Sequence, residues 1–118
     1  MKELLEKHGL TYANIAHCCL YIEDMAKFGS VNVVYKSQFG LEPAARVCVA
    51  VPMNRGRTTI EFRGVMNTAS KVNMHVQSFS EWGPPCVGPY AQSNQVFKML
   101  WLAGNIGLVP ALVEPSKN

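Results

Sequence analysis

Four side chains that can do chemistry crowd into one short stretch, residues 45–65. They are Arg46, Cys48, Glu61 and Arg63, and all four arginines of the chain (Arg46, Arg55, Arg57 and Arg63) fall within it. Val47, Val49 and Val51 alternate with Arg46, Cys48 and Ala50, and Ile60 and Phe62 alternate with Glu61 and Arg63. Two period-two runs separated by Met53-Asn54-Arg55-Gly56 predict a hairpin. On that pairing Arg46, Cys48, Glu61 and Arg63 project from one face, while Val47, Val49 and Ile60 are buried against a helix. A guanidinium and a carboxylate beside a thiol could hold a small carboxylate ligand and a water. The same pattern also describes a solvated face with an ordinary cross-strand ion pair.

The flanking segments supply the elements that must position these groups. Residues 2–8 predict a short helix closed by Gly9, a length that is marginal in isolation. It opens without a capping residue, which suggests a chain cut from something longer. Residues 14–22 (N-I-A-H-C-C-L-Y-I) read as a buried strand, with His17 as a packed residue rather than a ligand. Asp24 can cap a helix over residues 24–39, in which Phe28, Val31, Tyr35 and Phe39 form one apolar stripe. Residues 71–79 alternate again, Val72, Met74 and Val76 against Asn73, His75 and Gln77, and predict a half-exposed strand. Residues 80–85 (S-E-W-G-P-P) break the pattern. Residues 95–103 (Q-V-F-K-M-L-W-L-A) read as one central strand, followed by a turn at residues 104–107 and a fraying tail over residues 109–118.

At 118 residues the chain has the length of one domain. It is 48% hydrophobic and 16% charged. A net charge of +3 without a basic run argues against a nucleic-acid partner. No apolar run reaches membrane-spanning length, and there is no signal peptide. The four cysteines, Cys18, Cys19, Cys48 and Cys86, show no C-x-x-C and no zinc spacing. Free thiols, a cytoplasmic setting and no metal or cofactor are expected. Phosphate-binding glycine loops and the nucleophile-elbow motif are missing.

Several stretches resemble the RidA/YjgF (reactive imine deaminase) family. Val87-Gly88-Pro89-Tyr90-Ala91-Gln92, followed by residues 102–108 (L-A-G-N-I-G-L), is similar to that family's opening I-G-P-Y-x-Q and S-G-Q-I-G. Residues 23–35 resemble its second helix. Ala45-Arg46-Val47-Cys48-Val49 and Ile60-Glu61 resemble its closing hairpin, P-A-R-S-x-V and I-E-x-E. The order is reversed, closing half first. The resemblance therefore implies a boundary between tandem modules: residues 1–66 close one module, residues 67–85 connect, and residues 86–118 open the next. The connector is similar to that of the large eukaryotic diphthine–ammonia ligases, whose nucleotide-binding domain has no counterpart here. The implied fold is α+β and chorismate-mutase-like, a mixed sheet with two helices on one face, permuted or incomplete.

The resemblance also implies roles. Arg46 holds a ligand carboxylate as a bidentate pair. Glu61 positions a water for attack on an imine carbon. Cys48 lines the site, Tyr90 closes it, Gly104 approaches the ligand through its backbone, and Asn32 lies nearby. Arg63, Ala103 and Asn105 depart from the family pattern. Because the family's cleft lies between subunits, a homo-oligomer is expected, most naturally a trimer, with Arg46 of one chain facing Tyr90 or Phe28 of another. Three functions follow: an accessory module of a diphthine–ammonia ligase that serves ligand binding or assembly in diphthamide biosynthesis, a stand-alone imine/enamine deaminase, or a structural oligomerisation module.

Overall fold

The computed structural model describes residues 1–53, 58–78, 84–109 and 114–115. The long, largely apolar strand β1 (Ile15–Ile22) takes the centre of a three-stranded sheet and is buried along nearly its whole length. It pairs in parallel with β2 (Ala45–Ala50) and antiparallel with β3 (Thr58–Gly64). A parallel neighbour requires a crossover, and helix α2 (Phe28–Lys36) provides it.

The expected hairpin is thereby overturned. β2 and β3 do not pair with each other, because β1 lies between them. The strand most buried on both faces displaces the more polar strands to the flanks. The turn residues 54–57, with Arg55 and Arg57, lie outside the described residues.

Register decides the faces. Arg46, Cys18 and Phe62 form one row, and Cys48, Leu20 and Ile60 another. This face packs against α2 and α1 (Lys2–Lys7) through a core of Leu5, Ile15, Cys18, Tyr35 and Ala44, flanked by Phe39, Ile60 and Phe62. Val47, Cys19 and Glu61 form a row on the opposite face. Arg46 and Cys48 thus share the core face with Ile60, whereas Val47 and Val49 do not, which reverses the expected sides. Asp24 accepts a hydrogen bond from the Ala26 N–H (2.9 Å) and starts the turn leading into α2. Tyr35 is buried and Phe28, Val31 and Phe39 half-buried, while Val33 and Val34 face solvent. Phe28, Val31 and Tyr35 form the stripe their spacing predicts, but α2 ends at Lys36, short of the expected residue 39, and Phe39 stacks on Tyr35 from beyond its end.

A second antiparallel sheet has the order β4 (Lys71–Met74), β5 (Ser93–Val96), β6 (Met99–Leu102). The single strand expected over residues 95–103 is instead a hairpin. It turns at Phe97, whose φ is 53°, with Val96 opposite Met99. These strands form a sheet of their own and do not join the first. Contact comes through an isolated bridge between Ala45 and Ala91 and through side chains: Asn94 Nδ2 donates to Ala16 O (2.8 Å), and His17 stacks on Trp101 at 5.4 Å. Asn73 faces inward and donates to Pro43 O and Asn94 Oδ1, both at 2.8 Å, so Val72 and Met74 face outward. Two inward amides serve backbone carbonyls that would otherwise be buried unpaired. A short pair, β7 (Leu108–Val109) and β8 (Glu114–Pro115), ends the described chain. Residues 79–83 of the connector lie outside the described residues. Among those described, no helix is long and apolar enough to cross a membrane.

Candidate functional site

Arg46 is only 2% exposed, an unusual state for a guanidinium. Its position near the start of β2 directs it onto the face covered by α2. There its Cζ lies 4.5 Å from the ring centre of Tyr35, 5.5 Å from that of Phe28 and 4.8 Å from that of Tyr90. Three rings within about 6 Å make a cation–π cage. Phe28, Asn32 and Tyr35 reach Arg46 together because steps of four and three residues share a helix face. Asn32 Oδ1 accepts a hydrogen bond from Arg46 Nη2 at 2.7 Å. Arg46 Nε and Nη1 have no partner among the described residues. Burial pulls the Arg46 pKa below its ordinary value, opposed by the neighbouring Tyr35, Cys48 and Tyr90. It starts so high that the group keeps its charge at neutral pH.

Beside Arg46 lies a cavity of about 520 Å³. Cys48, Tyr90 and Gly104 line it, with Met25, Phe28 and Cys86. The Gly104 N–H donates to Arg46 O at 3.1 Å, tying the second half of the chain to the edge of β2. Burial raises the Cys48 thiol pKa against the pull of Arg46, and pushes the Cys86 thiol up to about 11. Both are protonated at neutral pH and suited to lining rather than attack. Burial also raises the Tyr90 phenol.

Of the six residues singled out from the sequence, the fold brings five together: Arg46, Asn32, Cys48, Tyr90 and Gly104. They meet within one chain, so Tyr90 of a neighbour is not needed to complete this pocket. Glu61 is not among them. It lies on the other face of the sheet, 2.8 Å from Arg63 Nη2 and 3.3 Å from the Tyr21 hydroxyl. Both partners of that ion pair are about half exposed, which makes it a weak contributor.

Phe28 was expected against Arg46 from a neighbouring chain, and the fold supplies it from the same one. Two contributors escaped sequence reasoning. Tyr35 read as a plain core residue, and the signal that marks it is Asn32 on the same helix face. Gly88 is the second. A Cβ there would stand 2.9 Å from Arg46 Nη2 and 3.0 Å from Tyr90 Cε1. Among the described residues no cluster of three metal-ligating side chains occurs, and all four cysteines are free.

This fold is that of the YjgF proteins. A crystal structure of a YjgF family member from Neisseria meningitidis superposes on 56% of the chain, and 58% of its own, with a TM-score of 0.52 and 23% identity. No protein-family model matches the chain. By sequence the chain is similar to the diphthine–ammonia ligases of Schizosaccharomyces pombe (33% identical over 120 residues) and Saccharomyces cerevisiae (30% over 132). Each match covers 97% of this chain and 19% of the relative, so the chain spans about a fifth of their length.

Proposed function

We propose that this chain is a RidA-like ligand-binding module of a diphthine–ammonia ligase, spanning the boundary between two tandem modules, and that its pocket takes a small carboxylate-bearing ligand at Arg46. The observation that carries the proposal is the buried Arg46 itself. A caged guanidinium with two donors unpartnered among the described residues is costly unless something planar and anionic completes it. Nε and Nη1 are closed off from water in this conformation, so a ligand enters by displacing the Tyr90 ring. Similarity to the two ligases along nearly the whole chain supports the setting, and four free thiols suit a reducing cytoplasm.

Binding is favoured over imine hydrolysis because Glu61 lies on the face opposite Arg46, engaged by Arg63 and Tyr21. The test pairs two assays. Pyruvate should raise the melting temperature of the wild-type chain, and 2-aminoacrylate should release no more ammonia than an Arg46→Ala control. Ammonia release well above that control would restore the deaminase.

Assembly into a homo-oligomer, specifically a trimer, is part of the same proposal. The outer face of the second sheet supports it. Val72, Met74, Leu100 and Leu102 are each at least half exposed there. The patch is on the order of 400 Å², the size of the largest apolar patch on a typical monomer, which is often functional. Sedimentation equilibrium decides it, and a monomer at micromolar concentration would leave the pocket reading standing without the assembly.

A further inference from the structure

The cavity is more than a hole beside an arginine. It runs along the outer edge of β2, with Val47, Cys48 and Val49 all contributing to its wall. Adjacent strand residues point to opposite faces, so a cavity touching three in succession lies alongside the strand rather than above it.

The outward backbone groups of β2 belong to its even-numbered residues. Ala44 O accepts from the Ala91 N–H, and Arg46 O from the Gly104 N–H, whereas the odd-numbered Val51 donates inward to Ile22 O. Beyond Arg46 the next outward groups are those of Cys48 and Ala50. No backbone hydrogen bond among the described residues takes them up. Ala50 is exposed and Val49 is 38% exposed. An open edge of this kind is a template for a further strand.

Gly104 sets where such a strand must stop. Its N–H already occupies Arg46 O, so an added strand running antiparallel to β2 meets Gly104 as it reaches Arg46. The chain end then lies beside the guanidinium whose Nε and Nη1 have no partner among the described residues. From these positions we infer that the pocket accepts the C-terminal segment of a peptide. Its last residue lies opposite Val47, the residue before it pairs with Cys48, and its free carboxylate meets Arg46.

The inference rests on the carboxylate reading of Arg46 and narrows it to a class of ligand. Charge complementarity selects a free carboxylate over an amide. The walls select apolar side chains: Met25, Phe28 and Cys48 toward the helix, Val47, Ile106 and Leu108 elsewhere. Four residues at about 3.4 Å each reach from Ala50 to Val47.

The probe is an N-acetylated tetrapeptide of alternating valine and alanine with a free C-terminal carboxylate, titrated into the intact chain by NMR. It should bind at least tenfold more tightly than pyruvate, shift the Cys48 and Ala50 amides and slow their hydrogen exchange. Its C-terminal amide should bind at least tenfold more weakly. N-methylation of the third residue, whose N–H pairs with Cys48 O, should cost a similar factor. N-methylation of the second, whose N–H points away from β2, should cost little. Pyruvate binding as well as the peptide, or an amide binding as well as the acid, would overturn the peptide inference and leave the pocket's carboxylate reading intact in the first case. Equal losses from the two N-methyl peptides would overturn strand pairing. If neither pyruvate nor peptide binds, the Arg46 reading falls as well.

Discussion

The Arg46 guanidinium carbon lies 4.8 Å from the centre of the Tyr90 ring, although the two residues come from opposite halves of the chain. Nothing local joins them. Arg46 sits on β2 beneath α2, and Tyr90 sits on the segment leading to the second sheet. They meet because Ala91 and Gly104 hydrogen-bond along the outer edge of β2, at Ala44 O and Arg46 O. The pocket is therefore a property of the docked halves, and its integrity reports on that docking.

Arg46→Met separates binding from stability. A buried charge with incomplete pairing contributes little to folding, and an apolar replacement of similar length is often neutral or stabilising by about 1–2 kcal/mol. Chemical denaturation should show stability unchanged or raised, while the pyruvate-dependent rise in melting temperature vanishes. A loss of more than about 3 kcal/mol would mean that the guanidinium holds the fold together rather than waiting for a ligand.

Gly88→Ala should do the reverse. The added methyl meets Arg46 Nη2 at 2.9 Å and the Tyr90 ring at 3.0 Å. Crowding of this kind costs about 1–3 kcal/mol and pushes the ring out of position. Weaker pyruvate binding together with a lower melting temperature is expected. An alanine variant indistinguishable from wild type in both would show that the segment around Gly88 is not pressed against Arg46.

His17 makes stability depend on pH. Burial lowers its pKa from the ordinary value of about 6.5, and Arg63 adds to the shift, with Glu61 opposing. Below about pH 6.5 the unfolded chain takes up a proton that the folded chain refuses. Its contribution is therefore complete above that pH and is lost as pH falls toward the folded pKa. Urea titrations between pH 7.5 and 5 should show stability decreasing, and His17→Phe should flatten that slope. An equal slope in the variant would assign the effect to other groups.

Phe97→Gly should stabilise the chain. Phe97 has φ of 53° and is 72% exposed, so it bears left-handed strain with little burial to offset it. Glycine removes a penalty of about 1–2 kcal/mol and adds a smaller entropic cost. A net gain of about 1 kcal/mol corresponds to a rise of roughly 3–5 °C in melting temperature. A fall would mean that the ring is held by contacts outside this chain.

What the sequence determined by itself was local. Spacing placed Phe28, Val31 and Tyr35 on one helix stripe, Asp24 at the turn leading into it and residues 14–22 in a buried strand, and motif resemblance picked out five residues that meet at the pocket. Tertiary structure decided what alternation leaves open. Period two says which residues share a side, not which side becomes core. Thus Arg46 faces inward with Ile60 and Phe62, and Asn73 faces inward while Val72 and Met74 face out. Sequence proximity suggested that β2 pairs with β3, but β1 enters between them because it is the strand that burial on both faces stabilises most. That insertion moves Glu61 two strands away from Arg46, and the register of β3 on β1 turns it to the opposite face. Hydrogen bonds between distant segments placed Tyr90 over the guanidinium, and their partners cannot be read from either segment alone.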